Sequence, residues 1–162
     1  MTRKRCDLPI LFTQPIGSLP RPQAVLDLLA ARDDMDPALF ASMLDEMVVF
    51  AIRLQELAGL DVVSDGEWRR THYVGEFLKR VGGCEKARKY EHQGETKFTD
   101  VFVRRAERRD PVFVQDAEFL AAHTDRAAKF ALPSPFLIAV RFWHEDYSSD
   151  AYPTYRHLMD DM

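Results

Sequence analysis

Between Asp36 and Ser64 the chain reads "DPALFASMLDEMVVFAIRLQELAGLDVVS", and few architectures accommodate that run. Asp36 stands where an N-cap belongs, and Pro37 takes the first helical position, where its missing N–H costs nothing. Phe40, Met43, Leu44, Met47, Val48, Ala51, Leu54 and Ala58 then recur at helical spacing, and Gly59 sits where a left-handed C-terminal cap is needed. A helix of about six turns therefore runs straight into "LDVVS", an apolar stretch fit for a buried strand. A helix feeding a buried strand across so short a joint is the return step of an α/β unit, which predicts a parallel sheet with helical crossovers.

The flanks extend that pattern. "PILF" predicts a strand over Ile10 to Phe12, followed by a loop stiffened by Pro15, Pro20 and Pro22; Val25, Leu26, Leu28 and Leu29 mark a helix within residues 21–32. After the turn at Glu67, residues 69–83 read as a short helix with Tyr73, Val74, Phe77 and Leu78 inward, stopped by Gly82 and Gly83. Residues 91–114 alternate around Phe98, Val101, Phe102 and Val103, the mark of an extended hairpin inserted into the α/β series. "VQDAEFLAAHTD" predicts a helix and "AAKFALPSP" a strand closed by a Pro-Ser-Pro turn. "PFLIAVRFW" is a further apolar segment, and a last helix begins near Ser148, Ser149 and Asp150.

At 162 residues the expectation is one domain spanning 1–162. With 46% hydrophobic and 30% charged residues the composition is globular. A net charge of -4 gives no basic field for a polyanion, so nucleic acid is not an expected partner, although "RRAERRD" at 104–110 is locally basic. That cluster reads as a solvated face or a subunit contact, or else as a contact for an acidic folate tail. Cys6 and Cys84 supply neither a disulfide framework nor a metal knuckle, which fits a reducing cytoplasm. The basic start "MTRKRCDLPILF" is interrupted by Asp7 and Pro9 and does not read as a secretory leader. No run approaches the roughly 18 apolar residues of a membrane span, so a soluble protein is expected.

In parallel sheets, ligands bind at the carboxyl ends of the strands. Three of the strands read here end in polar turns: "IGS" at 16–18, "SDGE" at 64–67 and "LPSP" at 132–135. Ser18, Glu67 and Ser134 are thus expected on one rim. Gly17 would let a ligand approach the backbone, Ser18 offers a hydroxyl and an N–H to an anion, and Glu67 a carboxylate to a cation. Such a pair suits a zwitterion such as an amino acid. The plainer readings stand beside this one: Glu67 as a loop acid paired with Arg69 or Arg70, Ser18 as a turn residue, His72 as a surface histidine, and Cys84 as an uncatalytic thiol.

These same residues carry a resemblance. "IGSLPRP", the helix ending "LQELAGLDVVSDGEWRR", and "KFALPSP", in that order, resemble the catalytic barrel of cobalamin-independent methionine synthase and its stand-alone relatives. The resemblance implies a (β/α)8 barrel that transfers a methyl group from 5-methyltetrahydrofolate to homocysteine held as a thiolate on zinc. It implies that Ser18 binds the substrate carboxylate in a pocket shaped by Ile16 and Gly17, and that Glu67 binds the amino group. Trp68, Arg69 and Arg70 either contact the substrate or brace the loop. The family's zinc ligands, a His-x-Cys pair, a Glu and a further Cys, have no counterpart in this sequence, and the scattered His72, His92, His123, His144 and His157 make no substitute.

A barrel of this class takes roughly 250 residues. The chain is therefore expected to be an N-terminal half-barrel with an extended hairpin insertion, completed by a second polypeptide carrying the metal, by a second copy of itself, or by residues of a longer parent. On that expectation it is a subunit or fragment of a zinc-dependent thiol methyltransferase. The alternatives are a non-catalytic truncated relative that serves as a binding or assembly module, or alkyl transfer to a different thiol.

Overall fold

The computed structural model describes residues 8–109 and 111–162; Cys6, the start of the chain and Asp110 of the basic cluster lie outside them. The described chain is α/β and divides into two compact units, one running up to Thr71 and including Phe113–Ala131, the other His72–Val112 with Leu132–Met162.

In the first unit, α1 (Gln23–Ala30) is followed by a 3-10 turn at Arg32–Asp34 and then by α2 (Pro37–Leu57). The Asp36 side chain accepts from the N–H groups of Ala38 and Leu39, and Gly59 takes a φ of 80° just past the helix. The capping expected from sequence is therefore present at both ends. The buried arc of α2 is Phe40, Leu44, Val48, Ala51, Ile52 and Gln55. Met43 and Leu54, expected inward, are 37% and 50% exposed, because the inward arc is rotated toward Ile52 and Gln55.

Strand β1 (Val62–Val63) follows, and it pairs in parallel with β4 (Ala127–Ala128), Val62 opposite Ala127 and Val63 opposite Ala128. The Lys129 N–H donates to Val63 O at 2.8 Å and prolongs the pairing. Helix α4 (Val114–Ala122) precedes β4. Val25, Val48, Ala51, Ile52, Val63, Trp68 and Leu120 form this unit's core.

The strand expected over Ile10–Phe12 is not formed. Ile10 and Leu11 occupy a turn and are 99% and 89% exposed, so burial, which stabilises an apolar strand, does not operate on them. What does lie beside β1 is Thr13. Its carbonyl accepts from the Val62 N–H at 3.1 Å, and its N–H and hydroxyl both donate to the Asp61 carboxylate, at 2.8 and 2.9 Å.

The second unit contains α3 (Gly75–Leu78), β2 (Val81–His92), β3 (Glu95–Arg108), α5 (Pro135–Phe142), α6 (Glu145–Ser148) and α7 (Tyr155–Asp161). β2 and β3 are an antiparallel pair closed at Gln93 and Gly94, with φ of 53° and 78°, the geometry of a two-residue hairpin turn. The hairpin is longer than the sequence suggests. Its first strand begins at Val81, and Gly82 and Gly83 belong to that strand instead of ending a helix. The segment "PFLIAVRF" is helical, with Ser134 as its N-cap. Ser148 lies at the end of α6 and Thr154 caps α7, so the last helix starts later than Ser148–Asp150 suggest. Val74, Leu78, Val81, Phe102, Ile138, Ala139, Phe142, Tyr152 and Leu158 form the core here. Among the described residues, no helix is long and apolar enough to cross a membrane.

Candidate functional site

The turn after β1 is built on consecutive left-handed residues. Gly66 has φ of 66° and Glu67, the non-glycine of the pair, φ of 57°. A turn so wound needs its free amides held. The Gly66 N–H donates to Ser64 Oγ at 3.2 Å and the Glu67 N–H to Asp65 Oδ1 at 3.1 Å. Gln55 fixes the root of the turn from α2: its Nε2 donates to Ala51 O and Ser64 O, both at 2.8 Å, and its Oε1 accepts from the Ser64 N–H at 2.9 Å. The helix-to-strand step thus delivers the turn with its backbone polar groups satisfied.

The segment carrying Gly17 and Ser18 docks on that turn. Leu19 N–H donates to Gly66 O at 3.1 Å, and the Trp68 indole N–H donates back to Leu19 O at 3.2 Å. Arg21 Nη2 reaches the carbonyls of Glu67, at 2.9 Å, and Arg70. Ser18 Oγ consequently lies 3.3 Å from Glu67 Oε2, across 49 residues of sequence. Gly17 has φ of 69° and nothing close to where a Cβ would be, so its glycine answers to backbone conformation, not to crowding.

A small pocket opens here, lined by Pro15, Gly17, Ser64, Asp65, Glu67, Lys129 and Ala131. Glu67 is 5% exposed and Asp65 1%. Burial pushes the Asp65 carboxyl above its usual range, against the pull of the Arg70 guanidinium. Among the described residues Asp65 Oδ2 accepts no hydrogen bond; Arg70 Nη2 stands 3.8 Å away, near enough for charge but too far to donate. Lys129 Nζ donates to Pro15 O at 2.8 Å.

Of the site residues expected from sequence, Ile16, Gly17, Ser18, Glu67, Trp68 and Arg70 all lie in the first unit. Ile16 is 92% exposed. Trp68 is in the core and Phe50 stacks on it with ring centroids 6.3 Å apart. Arg70 donates to Ala131 O at 2.7 Å, with its guanidinium 4.5 Å from the Phe113 ring and 4.3 Å from that of Phe130. Arg69 pairs with Asp45 at 2.6 Å and lies over Phe119. Ser134 belongs to the second unit, where its hydroxyl accepts from the Leu137 N–H.

Asp65, Lys129 and Arg21 are the residues that sequence reasoning passed over. Asp65 could have been found from the "SDGE" turn, since an Asp two residues before a left-handed position commonly holds its amide. Lys129 comes to the pocket only through the β1–β4 pairing and leaves no local mark. Burial pushes the Cys84 thiol up to about 12, so it stays protonated at neutral pH. Among the described residues, no three His, Cys, Asp or Glu side chains are grouped to hold a metal ion. These residues do not fit the zinc ion implied above.

Comparison with known proteins identifies the family. Residues 11–132 match the family model for the catalytic domain of cobalamin-independent synthase, a span that includes both turns and β4. A methionine synthase of Pyrococcus horikoshii is 28% identical over 145 residues, covering 87% of this chain and 43% of its own length. The 5-methyltetrahydropteroyltriglutamate–homocysteine methyltransferase of Mycobacterium leprae is 41% identical over 81 residues, 49% of this chain and 11% of that protein. In fold, the chain resembles a B12-independent methionine synthase from Shewanella sp. W3-18-1, solved in complex with selenomethionine. The TM-score is 0.69 at 24% identity, over 94% of this chain and 45% of that one. The chain thus spans less than half the length of these relatives. With three-quarters of its residues inside the family model, it belongs to the cobalamin-independent synthase catalytic-domain family.

Proposed function

We propose that this chain is the N-terminal half of a methionine-synthase-like barrel, with the hairpin of β2 and β3 as an insertion, and that it supplies the amino-acid-binding end of the pocket. The observation that carries this reading is the meeting of Ser18 and Glu67 at 3.3 Å beside the pocket that Gly17 and Glu67 line. A buried carboxylate without a cationic side chain in contact is costly, and the α-ammonium group of an amino acid would offset that cost. On this reading Gly17 and Ser18 receive the opposite charge, and Trp68 and Arg70 brace the turn through their hydrogen bonds to Leu19 O and Ala131 O. Ser134 joins the reading as a further substrate-side residue on the strength of its motif.

In the complete reaction the sulfur of a homocysteine-like thiol gives up its proton and forms a bond to the methyl carbon as the bond from that carbon to N5 of 5-methyltetrahydrofolate breaks, and N5 takes up a proton so that tetrahydrofolate leaves. This chain's part is to bind and orient the amino acid. The metal that activates the thiol in such synthases belongs, on this reading, to a partner chain that carries the ligands this sequence lacks.

Calorimetric titration with L-homocysteine and L-methionine tests the proposal. Glu67→Gln is expected to weaken binding by about 10-fold or more, the scale of one lost charge-assisted hydrogen bond. Equal affinities for wild type and variant would remove Glu67 from the site.

A further inference from the structure

Helix α2 carries more apolar surface than its own core takes. Its buried arc runs through Phe40, Leu44, Val48, Ala51 and Ile52. Beside that arc lies a second row, Met43, Met47, Phe50, Leu54 and Leu57, at alternating steps of four and three residues. That is the heptad spacing of a seam along which helices pair. Met47 is half-buried, whereas Met43, Phe50, Leu54 and Leu57 are exposed, and Leu39 extends the strip toward the start of the helix. From Leu39 to Leu57 the strip runs about 27 Å at the α-helical rise. Single exposed apolar residues are ordinary, but a row of this length on one helix face calls for a cover.

Two exposed charges, Glu46 and Arg53, border the row on the side turned away from the core arc. Consider two α2 helices set antiparallel about a twofold axis level with Val48 and Val49. Met47 then stands level with the partner's Phe50, and Met43 with the partner's Leu54, so apolar side chains meet along the row. In the same register Glu46 lies within two residues, about 3 Å of rise, of the partner's Arg53, and the symmetry repeats the pair. Arg53 already holds Glu56 of its own helix at 2.5 Å, and a guanidinium with five donors can take a second carboxylate.

We propose that this face of α2 joins two copies of the chain, through antiparallel α2 helices with Glu46 and Arg53 paired across the axis. An interface about a twofold axis must be complementary to itself, and here both the apolar row and its flanking charges are. That property selects a second copy over an unrelated helix. The inference does not rest on the amino-acid reading and makes no use of the exposed segment at Ile10 and Leu11.

Glu46→Arg and Arg53→Glu, made as separate full-length chains, test it by sedimentation velocity over a concentration series. Wild type is expected to be a dimer that dissociates on dilution. Each variant alone brings like charges together at both flanks and should weaken self-association by about 10-fold or more. An equimolar mixture of the two variants sets opposite charges against each other at both flanks again, and should dimerise as wild type does. Leu54→Glu, in the seam itself, should abolish association while circular dichroism shows the helix content of wild type. A wild type that stays monomeric into the high micromolar range overturns the proposal. A dimer that both charge variants form as readily as wild type, or whose loss the mixture does not restore, overturns it too, because association then runs through another surface or another register.

Discussion

Glu67 is where backbone and side chain disagree most. A glutamate at φ of 57° holds a conformation that favours glycine, and its carboxylate is buried at 5% exposure. Both features cost stability, each by about 1 kcal/mol or more. A residue retained for the loop alone would be replaceable to advantage. Glu67→Gly is therefore expected to fold, to raise the unfolding free energy by about 1 kcal/mol in denaturant titration, and to lose amino-acid binding. A loss of stability of that size would instead make Glu67 a structural loop acid. Of this site, the Gly17–Ser18 and Glu67 turns were legible in the sequence because each is a local run of unusual residues. The unpaired oxygen of Asp65 and the ammonium of Lys129 were not, since each depends on chain segments folded against one another across dozens of residues.

Elements whose determinants are local follow the sequence closely, and those set by tertiary contact depart from it. The α2 helix is capped by Asp36 and Pro37 and ended by Gly59, all within its own span, and its observed bounds follow. The first hairpin strand, β2, alternates poorly because its outer half is exposed on both faces, so only its partner showed a strand pattern. Its paired glycines read as a helix stop, yet Gly83 serves the sheet. With φ of 90°, it lies where the β2–β3 register shifts between Gly82 and Cys84, and a Cβ there would sit 2.4 Å from Arg105 O. No side chain motion relieves a clash with backbone. Gly83→Ala should cost about 3 kcal/mol and lower the melting temperature by several degrees, whereas Gly94→Ala, with nothing within 4 Å, should cost only its turn strain of about 1 kcal/mol. Equal effects at the two positions would mean that the bulge is not what Gly83 maintains.

At the scale of the molecule, the question is what covers the apolar surface of the first unit. Ile10, Leu11 and Ile16 are 99%, 89% and 92% exposed, and Leu57 on α2 is 87% exposed. Scattered exposed apolar residues are ordinary, but three of these crowd one short segment beside the Thr13–Asp61 contact that flanks β1. The match to the Pyrococcus protein covers 43% of its length, so more than half of that protein lies outside the match. On the proposed half-barrel reading, the remaining half lies against this edge. The expectation is that the chain expressed alone binds a hydrophobic dye and self-associates as concentration rises, and that co-expression with a polypeptide corresponding to the rest of the Pyrococcus synthase yields a copurifying pair with dye binding suppressed. Placing Asp at Ile10 and Leu11 should abolish the pairing without altering the melting temperature, because those side chains contribute no burial to the unit itself. A chain that stays monomeric, binds no dye and ignores the second polypeptide would show that the edge needs no cover, and would turn the functional reading toward a non-catalytic amino-acid-binding module.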